Sequence, residues 1–165
     1  MDELRQWVLA ASARDDVRAG VRQIYADLQQ RIDQRRPVCL VSGRCCRFDE
    51  YGHRLYVTTA ELAAFLAETR GTVPLPARGT VPLTRQGGCV FQNGKLCRVH
   101  AIRPMGCRIF FCDATATDWQ RETYEHFHAR LKELHRDLSI PYAYVEWRLA
   151  CQKIGLDDPA ARCER

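Results

Sequence analysis

The chain has 165 residues, of which 46% are hydrophobic and 27% are charged, and its formal net charge at pH 7 is +5. This composition excludes intrinsic disorder and fits one domain of ordinary size, which buries roughly two thirds of the surface that its unfolded form exposes. No apolar run approaches the roughly 20 residues that cross a bilayer, and acids near the start replace the basic residues of a signal peptide, so we expect a cytoplasmic protein without a membrane partner.

The first predicted helix covers residues 15–36. Its apolar residues recur every three or four positions, as they do on the core-facing side of a helix. They are Val17, Val21, Ile24, Leu28 and Ile32. Either Asp15 or Asp16 can cap the start of this helix, and Pro37 ends it.

A short strand at residues 54–57 and a second helix are expected next. Thr58 and Glu61 form a capping box, in which each side chain reaches the first backbone amides of the helix. We expect this helix to extend to about Thr69. The side chains predicted to point inward are Leu62, Phe65 and Leu66.

Residues 71–86 contain three prolines and predict an extended surface loop. A β-hairpin is expected beyond it, around the Asn-Gly turn dipeptide at 93–94. A two-residue turn would place Cys97 opposite Val90, whereas a three-residue loop with a left-handed glycine would pair Cys97 with Cys89. Metal binding favours the second register.

Two further helices are expected within residues 117–154. Thr117 and Gln120 form a weaker capping box for the first, and the second begins at Pro141 and ends before Gly155. The apolar stripe of the first is Tyr124, Phe127, Leu131, Leu134 and Leu138.

These elements predict a mainly α fold with a small β-hairpin, of the α+β class, in a single domain spanning residues 1–165. Helices flank a cysteine-rich metal-binding region at residues 37–112, and a tail occupies residues 155–165. The cysteine-rich region at residues 37–112 carries ten Lys or Arg and four acidic residues. Nearby cations favour ionised thiols, which would balance this positive charge. The charge therefore gives little support to nucleic-acid binding.

Seven of the nine cysteines lie within a 74-residue stretch of the chain. Without an export signal, such enrichment indicates metal binding or thiol chemistry rather than disulfides. The candidate metal ligands are Cys39, Cys45, Cys46, Cys89, Cys97, His100, Cys107 and Cys112. Thiolates and imidazoles suit zinc, and thiolates alone suit iron–sulfur clusters. Eight donors suffice for two four-coordinate ions or for one cluster with spare ligands.

The adjacent pair Cys45 and Cys46 limits these arrangements. Neighbouring side chains of an extended backbone point to opposite sides and rarely bind one ion together, so one of the two could serve a second metal. His100 follows Cys97 by three residues, and one helical turn could direct both at one ion. Cys151 is expected in the core, and we expect no role for the ninth cysteine, in the tail.

The spacing of Cys39, Cys45 and Cys46, followed by Cys89, Cys97 and the segment Arg-Pro-Met-Gly-Cys-Arg that contains Cys107, resembles the bacterial cysteine-cluster family named for its CxxCxxCC motif. This family is also called YkgJ-like. The resemblance implies a domain that chelates zinc or iron, as a mononuclear site, a binuclear site or an iron–sulfur cluster.

Two positions depart from the family pattern. Ser42 occupies the place of the motif's second cysteine, and His100 stands where an aromatic residue is more usual. Either His100 or Cys112 could replace the missing donor. Arg103 and Arg108 could neutralise the charge of the site or orient its sulfurs through hydrogen bonds.

The sequence therefore predicts a metal-binding protein whose partner is the metal ion. The resemblance extends to the cysteine-rich region of flagellin lysine methylases, which makes a methylase-related or redox enzyme the second hypothesis. An interaction module with a structural zinc is the third. No phosphate-binding loop or dinucleotide fingerprint names a reaction.

Overall fold

Helices dominate the computed structural model, which describes residues 3–69 and 87–156. The α-helices in these ranges are α1 (Glu3–Ser12), α2 (Asp15–Arg35), α3 (Phe48–Tyr51), α4 (Thr59–Thr69), α5 (Met105–Ile109), α6 (Thr117–Asp137) and α7 (Trp147–Ile154). The strands are β1 (Tyr56–Thr58), β2 (Gln92–Asn93), β3 (Leu96–Cys97) and β4 (Tyr144–Glu146). The predicted mainly α class is confirmed. The loop predicted at 71–86 and nearly all of the expected tail lie outside the described residues.

Helix α2 confirms the predicted N-terminal helix, whereas α1 before it was not predicted. Arg36 ends α2 in a left-handed conformation (φ 51°) and donates its N–H to the Ile32 carbonyl at 2.8 Å. The predicted cap is wrong, because Arg14 holds the N-cap position without a side-chain cap bond. Asp15 and Asp16 lie one position further on, in the first turn, where their charges favour the helix dipole.

The capping box of α4 is confirmed and has a wider role. The Thr58 N–H donates to Glu61 Oε2 at 2.9 Å, and the Glu61 N–H donates to Thr58 Oγ1 at 3.3 Å. Glu61 Oε1 accepts hydrogen bonds from the Tyr25 hydroxyl and the Met105 N–H, both at 2.9 Å. Only 2% of Glu61 is exposed, so one buried carboxyl connects α2, α4 and α5.

Strands β1 and β4 form an antiparallel pair in which Tyr56 lies opposite Glu146. The helix predicted from Pro141 is wrong at its start, because this pairing keeps the chain extended. Helix α7 begins after Glu146, whose carboxylate accepts the Leu149 N–H at 3.0 Å. Gly155 ends α7 with φ 75°, as predicted.

The predicted hairpin is present, but both proposed registers are wrong. Cys97 lies opposite Gln92, and neither Cys89 nor Val90 pairs with it. Asn93 lies opposite Leu96, so the turn consists of residues 94 and 95. The left-handed glycine (φ 61°) is the first turn residue rather than the second. The Gln92 amide donates to the carbonyl of that glycine at 2.9 Å and stabilises this turn.

Helix α6 keeps the predicted stripe only in part. Its fully buried residues are Thr123, Phe127, Leu131 and His135. The predicted capping box is wrong, because Ala116 is the N-cap and Gln120 instead accepts the Phe111 N–H at 2.9 Å. This bond ties the start of α6 to the chain that leaves α5.

The largest buried cluster lies beneath the cysteines. Among its members are Cys46, Phe48, Phe65, Cys89, Phe91, Trp147 and Cys151. Helix α1 packs against α4 and α7 and contributes Leu4 and Val8 to this cluster. No helix within the described ranges combines the length and the apolar character needed to cross a membrane.

Candidate metal centre

A cavity of about 420 Å³ opens between α2, α5 and the loops that carry the cysteines. The predicted ligands that line it are Cys39, Cys45, Cys46, Cys89, Cys97, His100 and Cys107. Aromatic side chains form much of the remaining wall, including Phe48, Phe110, Phe111 and Trp147. The structure therefore brings seven of the eight predicted residues around one space.

The adjacent cysteines lie in a 3₁₀ turn at residues 44–46, which follows Gly43 in a left-handed conformation (φ 75°). The Cys46 N–H donates to the Gly43 carbonyl at 3.1 Å. Because the backbone is curled rather than extended, both side chains reach the cavity, and the Cys45 and Cys46 sulfurs are 4.0 Å apart. The expectation that the two point to opposite sides is wrong here.

Backbone hydrogen bonds join the two halves of the cysteine region. The Cys89 N–H donates to the Cys46 carbonyl at 2.8 Å, and the Asp49 N–H donates to the Gly87 carbonyl at 3.1 Å. These bonds place the segment around Cys89 beside the 3₁₀ turn. Backbone hydrogen bonds therefore bring the cysteines of these two halves together.

The central sulfur is that of Cys46, which interacts with the thiols of Cys45, Cys89 and Cys97 and has its own pKa raised by them. The hydrogen bond from Cys46 lowers the pKa of Cys45 to about 6, and the charge of Arg103 assists. The same two influences lower the pKa of Cys97 to about 7. The pKa of Cys89 is lowered as well, first by Cys46. Thiolates therefore form readily around one protonated sulfur.

Cys107 is the third residue of α5, after Met105 and Gly106, and Pro104 is the N-cap of this helix. Burial raises its pKa well above the usual value, and the neighbouring thiols of Cys89 and Cys97 raise it further. The expectation that nearby cations favour ionisation is therefore wrong for this thiol. The charge of Arg103 lowers the pKa of Cys107, but burial and the neighbouring thiols raise it by more.

Arg103 and Arg108 donate to backbone carbonyls rather than to sulfur. Arg103 reaches the carbonyls of His100 at 2.8 Å and Cys107 at 3.2 Å. Arg108 reaches those of Arg103 and Ala101, both at 2.7 Å. The two arginines thereby shape the loop between β3 and α5 and keep positive charge beside the cavity.

His100 lies in a turn of this loop, not in the helical turn that was predicted, and it is exposed. Partial desolvation of its ring and the charges of Arg103 and Arg108 lower its pKa. The imidazole is consequently neutral at pH 7, which is the form that binds metals.

Cys39 is exposed at the mouth of the cavity. Its segment is anchored where the Val38 N–H donates to Asp113 Oδ2 at 3.2 Å. Val41, two residues further on, has φ 49°, a conformation that a β-branched residue rarely adopts. Cys39 can therefore contact solvent and the cavity.

Cys112 is the predicted ligand that does not line the cavity. Its sulfur lies 3.4 Å from the Ser42 hydroxyl. Cys151 is buried on α7, as expected, and Cys163 lies outside the described residues.

Sequence reasoning missed Trp147, whose indole N–H donates to the Cys89 sulfur at 3.3 Å. A buried tryptophan predicts a hydrogen-bond partner for its N–H, but nothing in the sequence names that partner. Across residues 3–69 and 87–156, no three His, Cys, Asp or Glu side chains form a group ready to hold an ion as they stand.

Comparison with known proteins identifies one family. The model of the CxxCxxCC family, described as "Putative zinc- or iron-chelating domain", matches residues 38–127, which is more than half of the chain. The matched span includes all eight predicted ligands. No curated protein and no solved structure matches the chain.

Proposed function

The chain belongs to the CxxCxxCC family, and from this premise we propose that it binds zinc or iron through the thiols that surround the cavity. The observation that carries the proposal is that Cys45, Cys46, Cys89 and Cys97 line one cavity, with the Cys45 and Cys46 sulfurs 4.0 Å apart. Polarizable sulfur donors of this kind favour zinc and iron over magnesium or calcium.

The spacing of the adjacent cysteines supports a shared ion. A tetrahedral zinc site with zinc–sulfur bonds of about 2.3 Å has sulfurs about 3.8 Å apart. The Cys45 and Cys46 sulfurs are 4.0 Å apart, close to one edge of such a tetrahedron. Cys89 and Cys97, which line the same cavity, complete the proposed set of four donors.

The cavity has room for more than one bound atom. Roughly 10–15 Å³ of such space suffices for one water molecule, whereas this cavity measures about 420 Å³. A binuclear site or an iron–sulfur cluster would use the space and the further donors. In this proposal Cys107 and His100 bind from the α5 side and Cys39 from the mouth, while Cys112 joins only after moving past Ser42.

The charges around the site suit bound thiolates. Arg103 already lowers the pKa values of Cys45 and Cys97, and the lowered pKa of His100 keeps its ring neutral. A reducing compartment such as the bacterial cytoplasm would keep the thiols available. The metal ion is then the principal partner.

A redox or methylase-related enzyme is the second candidate. The observation in its favour is the Cys45 thiol, whose pKa of about 6 accompanies a neighbouring sulfur at 4.0 Å. Thiolates of low pKa are the reactive form in thiol chemistry. Such an enzyme would use the same cysteines. Metal content therefore distinguishes a metal site from a reactive Cys45 and Cys46 pair that functions without a metal ion.

The test is metal analysis and absorption spectroscopy of the full chain purified without oxygen. We expect zinc or iron in stoichiometric amount, colourless for zinc and brown for an iron–sulfur cluster. Cys46→Ser should lose most of the metal, and Cys163→Ser, from the tail, should retain it. A folded wild-type chain that takes up neither metal when both are supplied under reducing conditions would overturn the proposal.

A further inference from the structure

The indole of Trp147 is a buried donor whose partner is a sulfur of the cavity. Only 1% of the residue is exposed, and Nε1 lies 3.3 Å from the Cys89 sulfur. An indole has one donor and no acceptor, so this bond satisfies its entire hydrogen-bonding capacity. The acceptor is one of the thiols that we propose as metal ligands.

The surrounding structure fixes the direction of this N–H. The Trp147 backbone N–H donates to the Leu55 carbonyl at 2.8 Å. Its ring meets Phe65 edge to face, with centroids 5.1 Å apart and an interplanar angle of 87°, and lies against Phe91 at 5.9 Å. The indole therefore has little freedom to turn away from Cys89.

The next residue of α7 holds the same segment from a second side. Arg148 Nη1 donates to the Gly87 carbonyl at 3.3 Å and pairs with Asp49 Oδ1 at 2.9 Å. Together with the bond from the Trp147 indole, these contacts fix residues 87–89 to the first turn of α7. The position of the Cys89 sulfur is thus set in part by two residues outside the segment that the family model matches.

We propose that Trp147 is a positioning residue of the metal centre, whose indole N–H orients the Cys89 thiolate and withdraws electron density from it when metal is bound. This inference rests on the proposed function. Hydrogen bonds to ligating sulfur weaken its donation to the metal and help to set the potential of redox-active centres. The C-terminal helix would then tune a site whose ligands all precede it.

The experiment replaces the Trp147 indole by 3-benzothienylalanine, which keeps the two-ring shape and lacks the N–H. Trp147→Phe is the genetically encoded companion, and Trp119→Phe, on α6, is the matched control. Each full-length protein is titrated with Co²⁺ without oxygen. We expect Co²⁺ to bind roughly tenfold more weakly to both Trp147 variants, because loss of the donor that orients the Cys89 thiolate outweighs the stronger donation of its sulfur. Their sulfur-to-cobalt charge-transfer band should move to longer wavelength, because loss of the hydrogen bond raises the energy of the sulfur lone pair.

The outcomes separate the two proposals. If wild-type protein binds neither Co²⁺ nor Zn²⁺, the proposed function fails and this inference fails with it. If wild type binds Co²⁺ and the benzothienyl protein has the same band and affinity, the role of Trp147 is overturned while the proposed function stands. A band shift in both Trp147 variants, absent from Trp119→Phe, supports it. If Trp147→Phe does not fold, the isosteric protein decides.

Discussion

The backbone N–H of Cys89 donates a 2.8 Å hydrogen bond to the carbonyl of Cys46. This bond joins the two groups of cysteines through the main chain, so it is independent of the side chains that would hold a metal. Replacing a single sulfur should consequently leave the walls of the cavity in place. Metal binding can then be measured one side chain at a time.

Cys107→Ser should reduce the metal bound per folded chain substantially, because it removes a sulfur of the cavity wall that lies close to the thiols of Cys89 and Cys97. The measurement is metal content by elemental analysis, with circular dichroism to confirm that the helices remain. Cys163→Ser is the control for loss of one thiol and should bind as much metal as wild type. Full retention by Cys107→Ser would remove that residue from the site.

The affinity for Zn²⁺ should rise with pH. At about pH 8, Cys45 and Cys97, with pKa values of about 6 and about 7, are already ionised. The raised pKa values of Cys46 and Cys107 mean that these two thiols still carry protons, which zinc must displace. For an ion bound by Cys45, Cys46, Cys89 and Cys97 we expect about one proton released at that pH, about two if Cys107 is also a ligand, and more below about pH 7.

Calorimetry in buffers of different ionisation enthalpy measures the released protons directly. A proton count that stays near zero throughout this range would show that the bound ion does not use the two thiols with raised pKa.

Removal of the metal should lower the melting temperature. A ligand that binds only the folded state stabilises it according to its concentration and affinity, and chelation reverses that gain. The packing of α1 with α4 and α7 should persist, since apolar side chains such as Leu4 and Val8 form it without a metal ion. Thermal scans with and without a chelator, after metal loss has been verified, test this expectation; superimposable curves would contradict it.

Local sequence patterns predicted the parts of the fold that depend on neighbouring residues. The Thr58 and Glu61 capping box and the left-handed Gly155 needed only residues close in sequence, and both are present. The extended chain after Pro141 was missed because it depends on β1, far away in the sequence. Long-range strand pairing leaves little local signal.

The candidate site divides in the same way. Residue type and spacing identified the cysteines that line the cavity, but not the atoms that surround them. The 3₁₀ turn that directs both Cys45 and Cys46 inward, and the indole of Trp147, follow from tertiary packing. The predicted hydrogen bonds from Arg103 to sulfur are instead bonds to carbonyls, which spacing alone could not distinguish.

Glu61→Gln should destabilise the fold by about 2–4 kcal/mol. Each carboxylate oxygen of Glu61 accepts hydrogen bonds, from Thr58 on one side and from the Tyr25 hydroxyl and Met105 N–H on the other. A glutamine would present its NH₂ group to one set of donors and leave them buried without an acceptor. Urea unfolding measures the loss, and the same change at exposed Glu122 should have little effect.

Val41→Gly should stabilise the metal-free chain by about 1 kcal/mol, because glycine adopts the observed φ of 49° without the strain of a β-branched side chain. Val38→Gly is a matched control, since both valines are 55% exposed and lie in the same segment. The control should lower stability slightly through added freedom of the unfolded chain. Urea unfolding measures both changes, which should have opposite signs, and a loss of stability in both variants would refute the assignment of strain.

The pairing of β1 with β4 also has a consequence for biosynthesis. Tyr56 lies opposite Glu146, so this sheet closes only when the C-terminal part of the chain has been made. Ribosomes deliver all eight candidate ligands, from Cys39 to Cys112, before the indole that contacts Cys89. Because chains fold as they emerge, an ion that reached the nascent cysteines would meet a cavity still lacking one wall. Synthesis of the C-terminal segment would then determine when the cavity closes around the ion.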